Sequence, residues 1–173
     1  VGTADMTFAW SANGNASGTR YRVIMAAGQD PLYYDGAAVY DTYALSLSSS
    51  GLTANTTYYF RAAGVNNDGV ATSYSAVYAT STLAIAPAAG GFTGVTPSAA
   101  VFYWTAAGNP GSTLYRVAVS TASNPLVPGG AAATLSGVYA LSLSTAGLSG
   151  NTTYYVRVAA VNNNGVATAY TGA

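Results

Sequence analysis

Apolar residues alternate with small, hydroxylated or charged ones along most of this chain. Met6, Phe8 and Trp10 alternate with Thr7, Ala9 and Ser11, and Ala100, Phe102 and Trp104 follow the same rhythm. Tyr21 and Val23 flank Arg22, and Leu45 and Leu47 flank Ser46. Tyr58, Phe60 and Ala62 alternate with Tyr59, Arg61 and Ala63. A period of two sends one set of side chains to a core and the other to an outer face. Thr, Val, Tyr and Trp favour strands, and no 3.6-period stretch of helical length appears. Turn clusters separate the runs: Asn13-Gly14, Asn67-Asp68-Gly69, Asn109-Pro110 and Asn163-Asn164-Gly165. They supply the positive φ that hairpin turns need. The pattern predicts small antiparallel β-sandwiches.

The pattern occurs twice. Tyr43-Ala-Leu-Ser-Leu-Ser48 returns as Tyr139-Ala-Leu-Ser-Leu-Ser144, and Asn55-Thr-Thr-Tyr-Tyr59 as Asn151-Thr-Thr-Tyr-Tyr155. Val70-Ala-Thr-Ser-Tyr74 returns as Val166-Ala-Thr-Ala-Tyr170. Trp10 matches Trp104 at an offset of 94, whereas Tyr43 matches Tyr139 at 96. The second copy therefore carries two extra residues in its middle. Self-similarity at a fixed period makes each copy one structural unit.

Composition narrows the function. The chain has 173 residues, enough for one large domain or two small ones. Only 6% are charged, five Arg and five Asp, against roughly 25% in ordinary globular proteins. There is no Lys, Glu, His or Cys. That excludes thiol nucleophiles, Ser-His-Asp triads, structural zinc sites and haem ligation by His or Cys. Zero net charge with scattered Arg argues against nucleic acid as a partner. Half the residues are hydrophobic, which argues against disorder. No apolar run reaches 18 residues, so no membrane span is expected. Such sparse charge must be offset by the 49 Ser, Thr and Asn residues, by attached sugars, or by burial in an assembly. A merely low-charge secreted domain is the plainer alternative.

The residues resemble the fibronectin type III family. Trp on the second strand and Tyr on the third fit its pattern. So do Leu52, Thr56, Tyr58, Arg61, Val65 and Asn66, repeated as Leu148, Thr152, Tyr154, Arg157, Val161 and Asn162. Asn55 and Asn151 stand where that family usually has Gly, and Gly64 where Ala is typical. The small Ala-, Thr- and Asn-rich style is similar to tandem arrays in bacterial surface proteins. The resemblance implies an all-β chain of two tandem immunoglobulin-like sandwiches, with the Leu and Tyr forming a tyrosine corner before strand F. Trp10, Leu52, Tyr58, Trp104, Leu148 and Tyr154 are then expected in the cores.

The two copies differ at their ends. Gly91-Phe92-Thr93 and Val95 precede the Trp104 run and read as strand A, whereas Val1 aligns with Val95. Ser75–Thr82 follows Tyr74 and reads as strand G, whereas three residues follow Tyr170. The expected domains are 1–84, lacking strand A, and 85–173, lacking strand G. Residues 75–95 should form a short, fairly stiff bridge, with Pro87 limiting its bend. An unpaired edge invites another chain. The missing strands come either from a longer tandem array or from neighbouring subunits by strand addition.

Chemistry-bearing residues are few, and no catalytic, cofactor or metal site is expected. Asp30, Asp35 and Asp41 lie in one loop region, but their spacing matches no known calcium loop. Asn15, Asn55 and Asn151 begin sequons and are glycosylation candidates, Asn15 foremost because its Gly/Asn loop should be exposed. Arg22, Arg61, Arg116 and Arg157 fall at outward strand positions. Tyr33, Tyr34, Tyr59, Tyr103 and Tyr155 fall outward or in loops, where Tyr suits protein or sugar surfaces. These nine residues are interface candidates. The expectation is a glycosylated structural piece of an extracellular or cell-surface filament or stalk, whose partners are copies of itself. The alternative is a carbohydrate-contacting or adhesive binding module of a larger surface protein.

Overall fold

The computed structural model describes residues 1–123 and 134–172. They form two compact units, Val1–Leu83 and Ala84–Ala173. Among the described residues regular structure is all β apart from one 3₁₀ turn at Pro31–Tyr33.

The first unit contains β1 (Asp5–Ala9), β2 (Arg20–Ala27), β3 (Ala38–Thr42), β4 (Ser46–Ser50), β5 (Thr57–Val65) and β6 (Tyr78–Ser81). They make a two-stranded sheet β1-β4 and a four-stranded sheet β3-β2-β5-β6, every pairing antiparallel. The period-two pattern faces the sheets together. Met6 from β1 meets Met25, Tyr58 and Phe60 from the larger sheet, with Phe8, Tyr40 and Leu52 packed around them. Phe8 stacks on Phe60 with ring centres 5.1 Å apart and leans on Tyr78 at 5.9 Å.

The second unit contains β7 (Ala88–Thr93), β8 (Ala99–Thr105), β9 (Leu114–Ser120), β10 (Thr134–Val138), β11 (Ser142–Ala146) and β12 (Tyr155–Val161). Its sheets are β11-β8-β7 and β10-β9-β12. Phe102, Trp104, Tyr115, Val117, Val156 and Val158 form its core, joined by Ala84. The Trp104 ring meets Tyr115 edge-on at 5.6 Å.

Both copies close the same turn in the same way. The Tyr58 hydroxyl accepts the Thr53 amide at 2.9 Å, and the Tyr154 hydroxyl accepts the Ser149 amide at 2.9 Å. Asn55 and Asn151 sit in this turn at φ 44° and 51°. Asn tolerates that left-handed region, which explains why it can stand where Gly is usual. Of the six expected core residues, Tyr58 and Trp104 are buried, and Trp10, Leu52, Leu148 and Tyr154 are half-buried.

Candidate functional site: the open strand edges

The two units diverge where their strands meet solvent. In the first unit β5 is covered along both edges. β2 lies on one side. On the other, β6 pairs Tyr78 with Phe60, Ala79 with Tyr59, Thr80 with Tyr58 and Ser81 with Thr57. The amides of Ser75 and Thr72 donate to Ala62 and Gly64 further along. Just past β6, Thr82 clasps the tyrosine-corner turn. Its hydroxyl accepts the Thr56 amide at 3.0 Å and donates to the Thr53 carbonyl at 2.7 Å. The Leu83 carbonyl accepts the Asn55 amide at 3.1 Å. Asn55 is left only 3% exposed.

In the second unit β12 is paired with β9, and the amides of Thr171 and Thr168 donate to Val158 and Ala160. Among the described residues nothing pairs with 153–156 on that side. The equivalent turn is open: Ser149, Asn151, Thr152 and Thr153 are exposed. A cavity of 460 Å³ runs beside it, lined by Phe92, Phe102, Thr152, Thr153, Tyr154 and Val156 among others.

The opposite asymmetry holds on the other sheet. β8 has β11 on one side and β7 on the other, with Phe92 opposite Phe102 and the rings 5.5 Å apart. Ahead of β7, the Asn109 amide grips both polar groups of one residue. Its Oδ1 accepts the Ile85 amide at 2.8 Å, and its Nδ2 donates to the carbonyls of Ile85 at 2.7 Å and Ala106 at 2.8 Å. The first-unit equivalent of Asn109 is Asn15. It keeps the local bond, Nδ2 to the Ala12 carbonyl at 2.8 Å, but is exposed. Among the described residues β1 pairs with β4 alone. A groove of 780 Å³ lies beside it, lined by Phe8, Trp10, Asn15, Tyr21, Tyr74 and Tyr78 among others.

The interface candidates separate into groups. Arg22, Tyr59 and Arg61 share the outer face of the four-stranded sheet, and Arg116, Tyr155 and Arg157 the equivalent face of the second unit. Tyr103 is on the other sheet, with its ring over Gly90 and Gly91, where an added Cβ at Gly90 would come within 2.4 Å of it. Tyr33, 82% exposed, and Tyr34 ride the loop at the 3₁₀ turn.

The first-unit arginines are engaged rather than simply solvated. Arg22 lies opposite Asp41 across β2 and β3 and makes two bonds to it, Nε at 3.0 Å and Nη2 at 3.2 Å. Arg61 Nε donates to Asp30 at 2.8 Å, its Nη2 closes a second bond to the same carboxylate, and its Nη1 donates to the Ser75 carbonyl at 2.6 Å. Hydrogen bonds from Arg61 and from Arg22 hold the Asp30 and Asp41 carboxyls below their ordinary pKa, and the guanidiniums rise in turn. Asp41 lies on β3 rather than in the loop of Asp30 and Asp35; it and Asp30 are spent on arginine, and no cluster suited to a metal forms among the described residues. In the second unit Arg116 faces Gly137 and is exposed. Arg157 is half-buried, with an Nε that has no partner among the described residues.

Burial also sorts the sequons. Asn15 and Asn151 are exposed. Asn55 is not an accessible acceptor on the folded unit, because a bulky sugar there would displace the Leu83 segment.

The fold is shared with known proteins. Residues 86–171 match the fibronectin type III domain family. Both units have the fibronectin type III fold. A two-domain fibronectin type III segment from chicken tenascin superposes with a TM-score of 0.58 over 98% of this chain and 90% of its own, at 15% identity. No curated protein sequence matches the chain. The fold is one that typically carries no catalytic apparatus. No helix among the described residues is long and apolar enough to cross a membrane.

Three functional features escaped the sequence reading. The Asp30–Arg61 and Asp41–Arg22 pairs were legible only as opposite charges, the carboxylates confined to one copy and the arginines repeated in both. The Thr82 clasp looked like one more strand hydroxyl. Asn109 looked like a turn residue, and only its alignment with Asn15 would have raised the question of why one is followed by Ala-Ser and the other by Pro.

Proposed function

We propose that this chain is a structural subunit or segment of an extracellular filament or surface stalk, in which fibronectin type III modules join head to tail with copies of themselves. One observation carries the reading: only five Arg and five Asp serve 173 residues, a surface too sparse in charge for ordinary solvation and suited to burial in an assembly. Because residues 1–83 carry five Asp and three Arg and residues 84–173 two Arg and no acid, unlike units meet more favourably than like ones. A contact between unlike surfaces that does not close into a ring generates an open filament. Sparse charge supports the reading, since little desolvation of ions opposes burial. The joint should change little with salt, because few charges are available to be screened.

Glycosylation belongs to the same reading. Asn15 and Asn151 are accessible, and Ser46, Ser48 and Ser50 form an exposed hydroxyl row on β4. Intact mass of the native protein above that of the bare chain is the expected result, and equality would remove this part.

The assembly itself is tested by electron microscopy of native material with sedimentation of the isolated chain. Filaments with a two-module repeat are expected. A chain that stays monomeric at high concentration, with no filament in its source, overturns the reading. The second reading is then favoured: a carbohydrate-contacting or adhesive module, for which the exposed Tyr33 and Tyr34 loop is the motivating feature. Retention of the chain on a glycan array, lost in Tyr33→Ala, would distinguish it.

A further inference from the structure

Four places in the chain carry an Asn or Asp directly before Gly: Asn13-Gly14, Asp35-Gly36, Asp68-Gly69 and Asn164-Gly165. Such a pair holds a latent reaction. Glycine has no side chain to hinder its own nitrogen, so that nitrogen can reach the side-chain carbonyl carbon of the residue before it. Asn is the reactive partner, because its amide can leave as ammonia, whereas a carboxylate at neutral pH has no comparable leaving group. The candidates are therefore Asn13 and Asn164. Both, with their glycines, are exposed, so exposure does not separate them.

The glycine N–H does. The Gly165 amide donates to the Asn162 carbonyl at 2.8 Å. The Asn162 side chain also accepts the amides of Asn164 at 3.1 Å and Val166 at 2.8 Å. The nitrogen that would attack is tied into its own turn. Gly69 is held alike, its amide on the Asn66 carbonyl at 3.0 Å. At Gly14 no hydrogen bond to the amide forms among the described residues. Asn13 and Gly14, at φ 49° and 83°, are the central pair of a turn closed by the Asn15 amide on the Ala12 carbonyl at 3.0 Å. Two positive central φ values make this a type I′ turn, whose middle peptide is left unbonded. A Cβ added at Gly14 would meet nothing within 4 Å, so its nitrogen is open to approach.

The second unit shows that the free amide belongs to the turn itself. Ala107-Gly108 occupies the matching place at φ 52° and 93°, closed by the Asn109 amide on the Ala106 carbonyl at 3.0 Å. There Ile85 is bonded to Asn109 alongside, and the Gly108 amide still has no partner among the described residues. The turn also forms with Ala in place of Asn.

We infer that Asn13 is a self-modifying site that converts to aspartate and isoaspartate, with water as the co-reactant. The Gly14 nitrogen forms a bond to Asn13 Cγ and gives its proton to solvent. The Cγ–Nδ2 bond breaks, and Nδ2 takes a proton and leaves as ammonia. Water then opens the resulting succinimide ring at one of its two carbonyl carbons. Opening at Cγ gives aspartate in an ordinary backbone. Opening at the main-chain carbonyl carbon gives isoaspartate, with the chain routed through Cβ. That product puts an extra carbon into a two-residue turn and takes the Asn15 N and Nδ2 bonds to the Ala12 carbonyl, 3.0 and 2.8 Å, out of register. Either product adds a negative charge to a chain whose formal net charge is zero. The site is independent of the filament reading.

The test incubates the intact 173-residue chain in mildly alkaline buffer and maps its peptides by mass, with isoaspartate read by labelling with an isoaspartyl carboxyl methyltransferase. The folded chain should gain one mass unit at Asn13 while Asn164 stays unconverted. In denaturant both are plain Asn-Gly pairs and should convert at similar rates, so the folded-to-denatured contrast isolates the turn. Ala107→Asn should make the Gly108 turn reactive at a rate close to that of Asn13. Asn13→Ala should abolish the gain and leave the unfolding curve unchanged, because the second unit already uses Ala there. Equal conversion of Asn13 and Asn164 in the folded chain, or faster conversion at Asn164, overturns the assignment. So does a folded chain in which Asn13 stays intact while the denatured chain converts. A folded Ala107→Asn variant that does not react at that position overturns the turn as the cause.

Discussion

The turns at Asn55 and Asn151 have the same five residues, nearly the same φ and the same tyrosine-corner bond, yet one is buried and the other exposed. The pair Asn109 and Asn15 shows the reverse, buried in the second unit and exposed in the first. In each case the difference lies in what crosses the site: Leu83 over Asn55, and Ile85 beside Asn109. Local sequence builds the turn and aims the amide. Whether that residue is buried as a latch or left exposed depends on a strand that comes from elsewhere in the chain.

The largest test of this comparison is core truncation. Trp104→Ala should cost about 3–5 kcal/mol in denaturant unfolding of the second unit. Trp10→Ala, at the half-covered equivalent, should cost about half as much, because less surface and fewer contacts are lost. Equal losses would mean that the β7 cover adds nothing.

Asn109→Ala should follow at about 1–3 kcal/mol, since it strands the N–H and C=O of Ile85 in a part-buried site. Asn15→Ala should stay within about 0.5 kcal/mol, as an exposed change. Thr82→Val should cost about 1–2 kcal/mol in the first unit, read from the same unfolding curves, because it unclasps Thr53 and Thr56.

Acid gives the smallest effect and separates the units by charge. Asp30 and Asp41 have depressed folded pKa values, so their contribution is fully present above the unfolded value near 4 and fades as pH falls through the folded values. Residues 84–173 contain no Asp or Glu. Between about pH 5 and 2 the first unit should lose thermal stability while the second changes little. Asp30→Asn should flatten the first unit's profile, and parallel losses in both units would contradict the assignment.

Much of the fold was legible because alternation, turn chemistry and internal repetition all point the same way. Phe60 and Val23 are inward because a two-residue period leaves them no other face. The tyrosine corner at Leu52 and Tyr58 was implied by the resemblance to the fibronectin type III family. The sites were less legible. Asp30 meets Arg61 across 31 positions, and the sequence shows only two opposite charges. Asn55 looked like Asn151 in every local respect, and burial by Leu83 is a long-range fact.

The sequence by itself determined that the chain is all β, that it repeats, that it lacks the groups for thiol or imidazole chemistry, and that it cannot rely on charge for solvation. These follow from residue type and near-neighbour spacing. Only the tertiary structure decided which edges are covered, which carboxylates are held by arginine and which sequons face solvent. Those depend on contacts between residues tens of positions apart, where identical local segments acquire different neighbours and therefore different chemistry.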